Sequence, residues 1–259
     1  MAGSMINFEN ITRSFTDFKK ADPYPHCVID NFLLPEFAEL VAKEFPEYNS
    51  DAYNGNYDNA IELKKTCNVW DRFPANTYRL ISFLNSTYFV DLISKLTEDV
   101  LFSDPGLHGG GWHIHPNKGK LNPHLDYNIH PKLGLQRKYN LLLYLTPGWK
   151  ESWGGDFGLW NSDNNKPTSL NKTIAPLFNR AIFFDTTMNS WHGLATEVQS
   201  KFTRNSIAVY YLTAPGNNDS RMRALFAPTQ EQQGNQEILD LIKRRSQIKS
   251  TDVDDWDRK

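Results

Sequence analysis

Residues 122–127 read Asn-Pro-His-Leu-Asp-Tyr, and residues 139–146 read Tyr-Asn-Leu-Leu-Leu-Tyr-Leu-Thr. The first places an imidazole (His124) and a carboxylate (Asp126) two positions apart. In an extended strand, residues i and i+2 point to the same face, roughly 6.6 Å apart along the chain. The two groups can therefore converge on one ion while Leu125 faces a neighbouring layer. The second run is apolar enough for a central strand. Around them, after residue 105, short apolar runs alternate with turn signals. Candidate strands are 111–116, 122–127, 139–146, 155–160, 173–178, 181–185, 190–194 and 205–213. Turns such as Pro147-Gly148, Asn161–Pro167 and Pro215–Asn218 separate several of them. About eight strands at this spacing predict a mainly β domain of the jelly-roll or sandwich type.

The flanks read differently. Leu80, Phe83, Leu84, Leu92, Ile93 and Leu96 recur at helical spacing, which predicts one or two helices over 76–100. Asp30 to Pro46 predicts a helix with Pro35 near its first turn and Phe37, Leu40, Val41 and Phe45 on one face. Residues 48–60, rich in Asn, Asp, Tyr and Gly, read as a loop, and the stretch 48–75 could cover a binding site. Glu231 to Gln247 predicts a helix, and Thr251 to Lys259 a polar, acidic tail. The organisation expected is an N-terminal arm over 1–22, a domain over 23–214, and a C-terminal helix and tail over 215–259. Residues 1–4 look like an expression-tag remnant ahead of Met5.

The 259 residues carry 28 Lys and Arg against 30 Asp and Glu, net −2, which gives no electrostatic case for nucleic acid or an anionic membrane. Aromatics reach 13%, so a sizeable core can be buried. Cys27 and Cys67 form no CxxC pair and are expected as reduced thiols in a cytoplasmic protein. No apolar run is long enough to span a membrane, and no charged-then-apolar signal pattern opens the chain.

A third ligand for His124 and Asp126 can come from Ser190-Trp191-His192-Gly193. Two histidines and one carboxylate on a face leave octahedral positions open, as Fe(II) oxygenases require for O₂ and a chelating co-substrate. A structural zinc site would close its shell with four protein ligands. Arg204, twelve residues after His192, shares a strand face with Ser206. An arginine grips a carboxylate through two parallel charge-assisted hydrogen bonds; Ser206 and the Tyr144 phenol can each add one.

Taken in order, His124-Leu-Asp126, a strand ending Tyr144-Leu-Thr146, Trp153-Gly-Gly-Asp156, Trp191-His-Gly193 and Arg204-Asn-Ser206 resemble the 2-oxoglutarate- and Fe(II)-dependent dioxygenases. The prolyl-hydroxylase-like branch is the nearest in look, and Pro23-Tyr-Pro-His-Cys-Val-Ile-Asp-Asn-Phe-Leu33 looks like its opening segment. The resemblance covers about residues 23–214. It implies a double-stranded β-helix (jelly-roll) core, His124, Asp126 and His192 as iron ligands, and Arg204 on the C5 carboxylate of 2-oxoglutarate, helped by Tyr144 and Ser206. The gap between His192 and Arg204 is longer than is usual there; Lys201 is nearer but differs in parity from Ser206. Also implied are Fe(II), 2-oxoglutarate and O₂, with ascorbate as a candidate reductant. The reaction implied is hydroxylation of an unactivated C–H bond, foremost in a prolyl residue of a peptide or protein. The alternatives are a small-molecule or free amino-acid hydroxylase and, in a different class, a non-catalytic jelly-roll binding module.

Other residues have plainer expectations. His113 and His115 share a face and could imitate a cupin pair, but no glutamate follows nearby. His108 and His130 read as loop residues, and His26 as packed or solvated. Gly154 and Gly155 serve a turn, Asp156 is expected in a strand, and Trp191 in the core. Tyr127 and Asn128 could line a substrate mouth. Arg137 and Lys138 default to exposed charges, though either could touch substrate.

Overall fold

The computed structural model describes residues 5–187, 189–216 and 221–248. Its helices are α1 (Phe8–Ser14), α2 (Pro35–Ala42), α3 (Ala75–Leu84), α4 (Thr87–Thr97) and α5 (Gln236–Arg245). Its strands are β1 (His26–Ile29), β2 (Gly55–Asp58), β3 (Glu62–Cys67), β4 (Phe102–Ser103), β5 (Gly111–His115), β6 (Lys120–Leu121), β7 (His124–Leu125), β8 (Gln136–Tyr144), β9 (Phe157–Asp163), β10 (Lys166–Ile174), β11 (Ala181–Asp185), β12 (His192–Leu194), β13 (Arg204–Thr213) and β14 (Leu225–Phe226). A large antiparallel sheet runs β1-β11-β8-β13-β5-β3-β2, with β4 and β6 at its margins, and a smaller one runs β10-β9-β12-β7-β14. These two sheets form the jelly-roll core of a double-stranded β-helix.

Strict alternation along the central strands divides the molecule. Leu141 and Leu143 of β8 and Ile207, Val209 and Tyr211 of β13 face the helices, meeting Leu80, Ile81, Phe89 and Ile93 in the main core. Each such buried side chain contributes roughly 1.5–3 kcal/mol. Asn140 and Leu142 of β8, and Arg204, Ser206, Ala208 and Tyr210 of β13, have the other parity and line a cavity shared with the smaller sheet. Residues 6–18 add Ile6, Ile11, Phe15 and Phe18 to the main core.

Several element boundaries differ from expectation. Helix α2 starts only at Pro35, because Leu33 is held extended by both amide atoms of Asn179. The stretch 48–60 is not all loop: β2 pairs with β3, which carries the large sheet past β5. Its polar residues show no apolar alternation, so only the pairing creates the strand. The expected turn over Asn161–Pro167 shrinks to Asn164 and Asn165, both at positive φ, with β9 and β10 running up to it on either side. No helix among the described residues is long and apolar enough to cross a membrane. The acidic tail and the tag-like residues 1–4 lie outside the described residues.

Candidate metal centre and co-substrate pocket

His192 of β12 stands directly opposite His124 of β7, and their ring centroids are 4.3 Å apart. Such close approach needs Gly193: a Cβ there would sit 2.7 Å from the carbonyl oxygens of Leu121 and Asn122. The Nδ1 of His124 lies 3.0 Å from the Asn122 carbonyl oxygen, and that of His192 lies 2.8 Å from that of Ser190. Those carbonyls can only accept, so each Nδ1 carries the hydrogen and each Nε2 lone pair is free to ligate. The Nε2 atoms are 3.6 and 3.8 Å from the Oδ1 and Oδ2 of Asp126 respectively. A ligand atom from each of the three residues lies within 4.8 Å of the others.

Burial, reinforced by the adjacent His124 ring, pulls His192 down to about 4, so its imidazole is neutral at ordinary pH. Burial alone would raise the Asp126 carboxyl. The His124 and His192 rings outweigh it, with Arg137 adding to them, and hold that carboxyl well below the usual range.

The second cluster lies on the cavity face of the large sheet. Arg204, 2% exposed, donates Nε–H to the Gly155 carbonyl at 2.7 Å and Nη2–H to the Tyr144 phenol oxygen at 3.1 Å. Gly155, at φ +70°, leaves room for this guanidinium; a Cβ would sit 2.9 Å from Arg204 Cδ. No carboxylate among the described residues forms an ion pair with Arg204, and the buried Ser206 hydroxyl has no partner. A buried guanidinium beside an orphaned hydroxyl is a cradle for an anionic ligand group. Burial pushes the Tyr144 phenol up to about 12 against the pull of Arg204. Tyr144 is not on the cavity wall; it braces Arg204 from behind.

His124, Asp126, His192, Arg204 and Ser206 all line one cavity of about 540 Å³. Tyr127 lines it too, whereas Asn128 is fully buried and its Oδ1 accepts from Arg221 N–H. Trp191 is core, as expected. Asp156 falls just before β9, and its Oδ2 accepts from the Thr196 hydroxyl at 2.9 Å. His130 is more than a loop residue: it is buried against Asp104 at 3.2 Å. Lys138 pairs with Asp185 at 2.8 Å.

The clearest departure is Arg137, expected as an exposed charge. It is 1% exposed, with its guanidinium 4.0 Å from the Tyr127 ring centroid and 3.8 Å from that of Tyr210, and it donates to the His108 carbonyl. A β-bulge is responsible. Leu212 pairs with Arg137 and Tyr211 with Tyr139, so Lys138 is skipped and the parity of β8 flips. Tyr210 was also missed, although it shares the parity of Arg204 and Ser206.

In fold and in donor arrangement the chain is similar to the 2-oxoglutarate- and Fe(II)-dependent oxygenases. Residues 110–212 match the model of the 2OG-Fe(II) oxygenase superfamily. Prolyl 3-hydroxylase OGFOD1 of Mus musculus is 21% identical over 206 residues, covering 73% of this chain and 33% of that protein. The chain spans a third or less of the length of the curated relatives it matches. Among solved structures, a prolyl hydroxylase from Trichoplax adhaerens, in complex with a hypoxia inducible factor oxygen degradation domain peptide fragment, aligns at TM-score 0.55 and 17% identity, over 79% of this chain and 90% of that one. A prolyl-4-hydroxylase of Pseudomonas putida aligns at 0.51 and 14%, over 78% and 98% respectively. Fe(II), 2-oxoglutarate and O₂ are the cofactor and co-substrates that this superfamily implies, and the donor set and the buried cradle fit the first two.

Proposed function

We propose that the chain hydroxylates an unactivated C–H bond of a prolyl residue in a peptide or protein, with the oxygenase domain spanning residues 23–214 between flanks 1–22 and 215–259. His124, Asp126 and His192 would hold Fe(II); Arg204 would take the C5 carboxylate of 2-oxoglutarate, braced by Tyr144 and joined by the Ser206 hydroxyl. Bound iron would supply activation of O₂, one oxygen atom passing to succinate as the keto acid loses CO₂ and the other into the C–H bond. The protein's own part is orientation and exclusion of water. The three donors would leave coordination positions to ligands, the Arg204 cradle would fix the far end of the keto acid, and Leu142, Phe157 and Phe184 line the cavity with apolar surface. At the other end, Tyr127, Arg137 and Tyr210 would receive the substrate.

The observation that carries this reading is the single cavity. It holds three convergent metal-binding donors together with a buried arginine that forms no ion pair among the described residues. The curated relatives and solved neighbours named prolyl hydroxylases favour a prolyl substrate over a free amino acid. A non-catalytic module would tolerate loss of a ligand or of the anchor, and none is lost. The unpaired, buried Cys27 and Cys67 are in keeping with a reducing cytoplasm.

The test is incubation with Fe(II), 2-oxoglutarate, O₂ and ascorbate over a panel of proline-containing peptides. Succinate release coupled to a peptide mass gain of one oxygen atom, lost in His124→Ala and Asp126→Ala, is expected. Succinate release that no peptide stimulates, but that a free amino acid does, would move the substrate to the alternative class.

A further inference from the structure

His115 is 2% exposed, lines the cavity, and neither ring nitrogen has a hydrogen-bond partner. A buried imidazole with both nitrogens unsatisfied is costly, and in a cavity wall it marks a missing partner. Its position shows what that partner is. β5 pairs with β13 so that His115 stands directly across from Arg204, and His113 from Ser206. Directly opposed side chains on one face of a sheet lie within reach of the same small group. His115 therefore flanks the guanidinium on the side away from Tyr144, which approaches from β8 through its pairing with Ser206.

Two other roles fit less well. His113 is already engaged, its Nε2 3.1 Å from the Gly109 carbonyl oxygen. Among the described residues, the one group of three or more metal-binding side chains that converges is His124, Asp126 and His192. A second metal site at His113 and His115 thus lacks a third ligand. A structural role would show His115 bonded to backbone or to a neighbour, and it is bonded to neither. Burial, with Arg204, Lys64 and His113 nearby, holds the His115 ring neutral. A neutral imidazole donates one N–H to an anion without adding a second charge beside Arg204.

We propose that His115 is a further binding residue for the keto acid, donating a ring N–H to the same distal carboxylate that Arg204 engages. This rests on the assignment of Arg204 as the anchor. The carboxylate would then be gripped by Arg204 and Ser206 from β13 and by His115 from β5, and the pocket would select a dicarboxylic over a monocarboxylic keto acid.

The test measures binding, not turnover. The 259-residue protein loaded with Zn(II) is titrated calorimetrically with 2-oxoglutarate and with 2-oxopentanoate, which carries a methyl group where 2-oxoglutarate has its far carboxylate. His115→Ala is expected to weaken 2-oxoglutarate about tenfold and leave 2-oxopentanoate unchanged, with partial recovery in His115→Gln. Equal weakening of both ligands, or of neither, overturns the proposal. Arg204→Ala is run in parallel. If it loses the preference for 2-oxoglutarate and His115→Ala does not, only the role of His115 falls; if Arg204→Ala also keeps the preference, the anchor assignment falls with it. Should His115→Ala not fold, nitrogen NMR of the unaltered, Zn(II)-loaded protein decides. A His115 ring N–H that shifts with 2-oxoglutarate but not with 2-oxopentanoate supports the proposal, and no difference overturns it.

Discussion

The phenol of Tyr210 donates a hydrogen bond to the Oδ2 of Asp126 at 2.8 Å, reaching from the large sheet to the smaller one. That bond fixes the plane of the one carboxylate in the donor set. Partners of this kind typically set metal affinity by about ten- to a hundredfold. Tyr210→Phe keeps the ring against Arg137 and removes only the hydroxyl. It should release Fe(II) to a chelator at about a tenth of the concentration that strips the unaltered protein, with the melting temperature little changed. Equal chelator midpoints for the two proteins would show that Asp126 is positioned without Tyr210.

Gly193→Ala addresses the backbone. The new methyl would meet two carbonyl oxygens at 2.7 Å, neither on a flexible side chain, so β12 must move away from β7. Overpacking of this sort costs roughly 1–3 kcal/mol, and the displacement carries His192 away from His124. Urea denaturation should report that loss of stability, and metal titration should report fewer than one tightly bound ion per chain. A variant that binds metal at full stoichiometry would mean that the strands tolerate the added bulk.

Much of this architecture is legible in the chain because local pattern and tertiary demand agree. The Leu141 to Leu143 run alternates between core and cavity faces, and His124 with Asp126 follows the i, i+2 rule even though only His124 and Leu125 are regular strand. Other features depend on relationships that no local pattern records. The bulge at Lys138 turns Arg137 inward and is invisible without its partner strand. Strand β2 is polar and exists through its pairing with β3. His115 gains meaning only from the register that sets it beside Arg204. Tyr210 was legible in principle, since it lies on the Arg204 face of β13.

Arg137 offers a test of the substrate end of the cavity. Its guanidinium is stacked between two phenol rings, and its Nε is buried without a partner. A planar guanidinium presented in this way is preorganised to meet a carbonyl or carboxylate of an incoming chain. Arg137→Lys keeps the charge but not the plane. Loss of a charge-assisted hydrogen bond to the substrate, about 2 kcal/mol, corresponds to roughly a 30-fold fall in kcat/KM for the peptide. The affinity for 2-oxoglutarate, measured by calorimetry, should stay within about twofold, because Arg204 and not Arg137 lies at that end. A change in keto-acid affinity as large as that in peptide kinetics would assign Arg137 to the co-substrate instead.

The cavity histidines impose a pH dependence on the metal-free protein. Burial pulls His113 down to about 3 and His192 to about 4, whereas in the unfolded chain both take up a proton near the ordinary value of about 6.5. Between those limits the unfolded state binds more protons than the native state, so stability falls as pH falls. Each group contributes at most about 1.4 kcal/mol per pH unit within its window. The contribution is complete above about pH 6.5 and disappears as pH drops towards about 4. Asp126, held well below the usual carboxylate range, adds a loss in the same direction only at lower pH, beneath the unfolded carboxyl value of about 3.9. Urea midpoints of the chelated protein should therefore be flat from about pH 8 to 7 and decline steadily from about 6.5 to 4.5. Midpoints that hold constant across the lower range would mean that these imidazoles reach solvent protons in the native state, and that the cavity is wetter than its walls indicate.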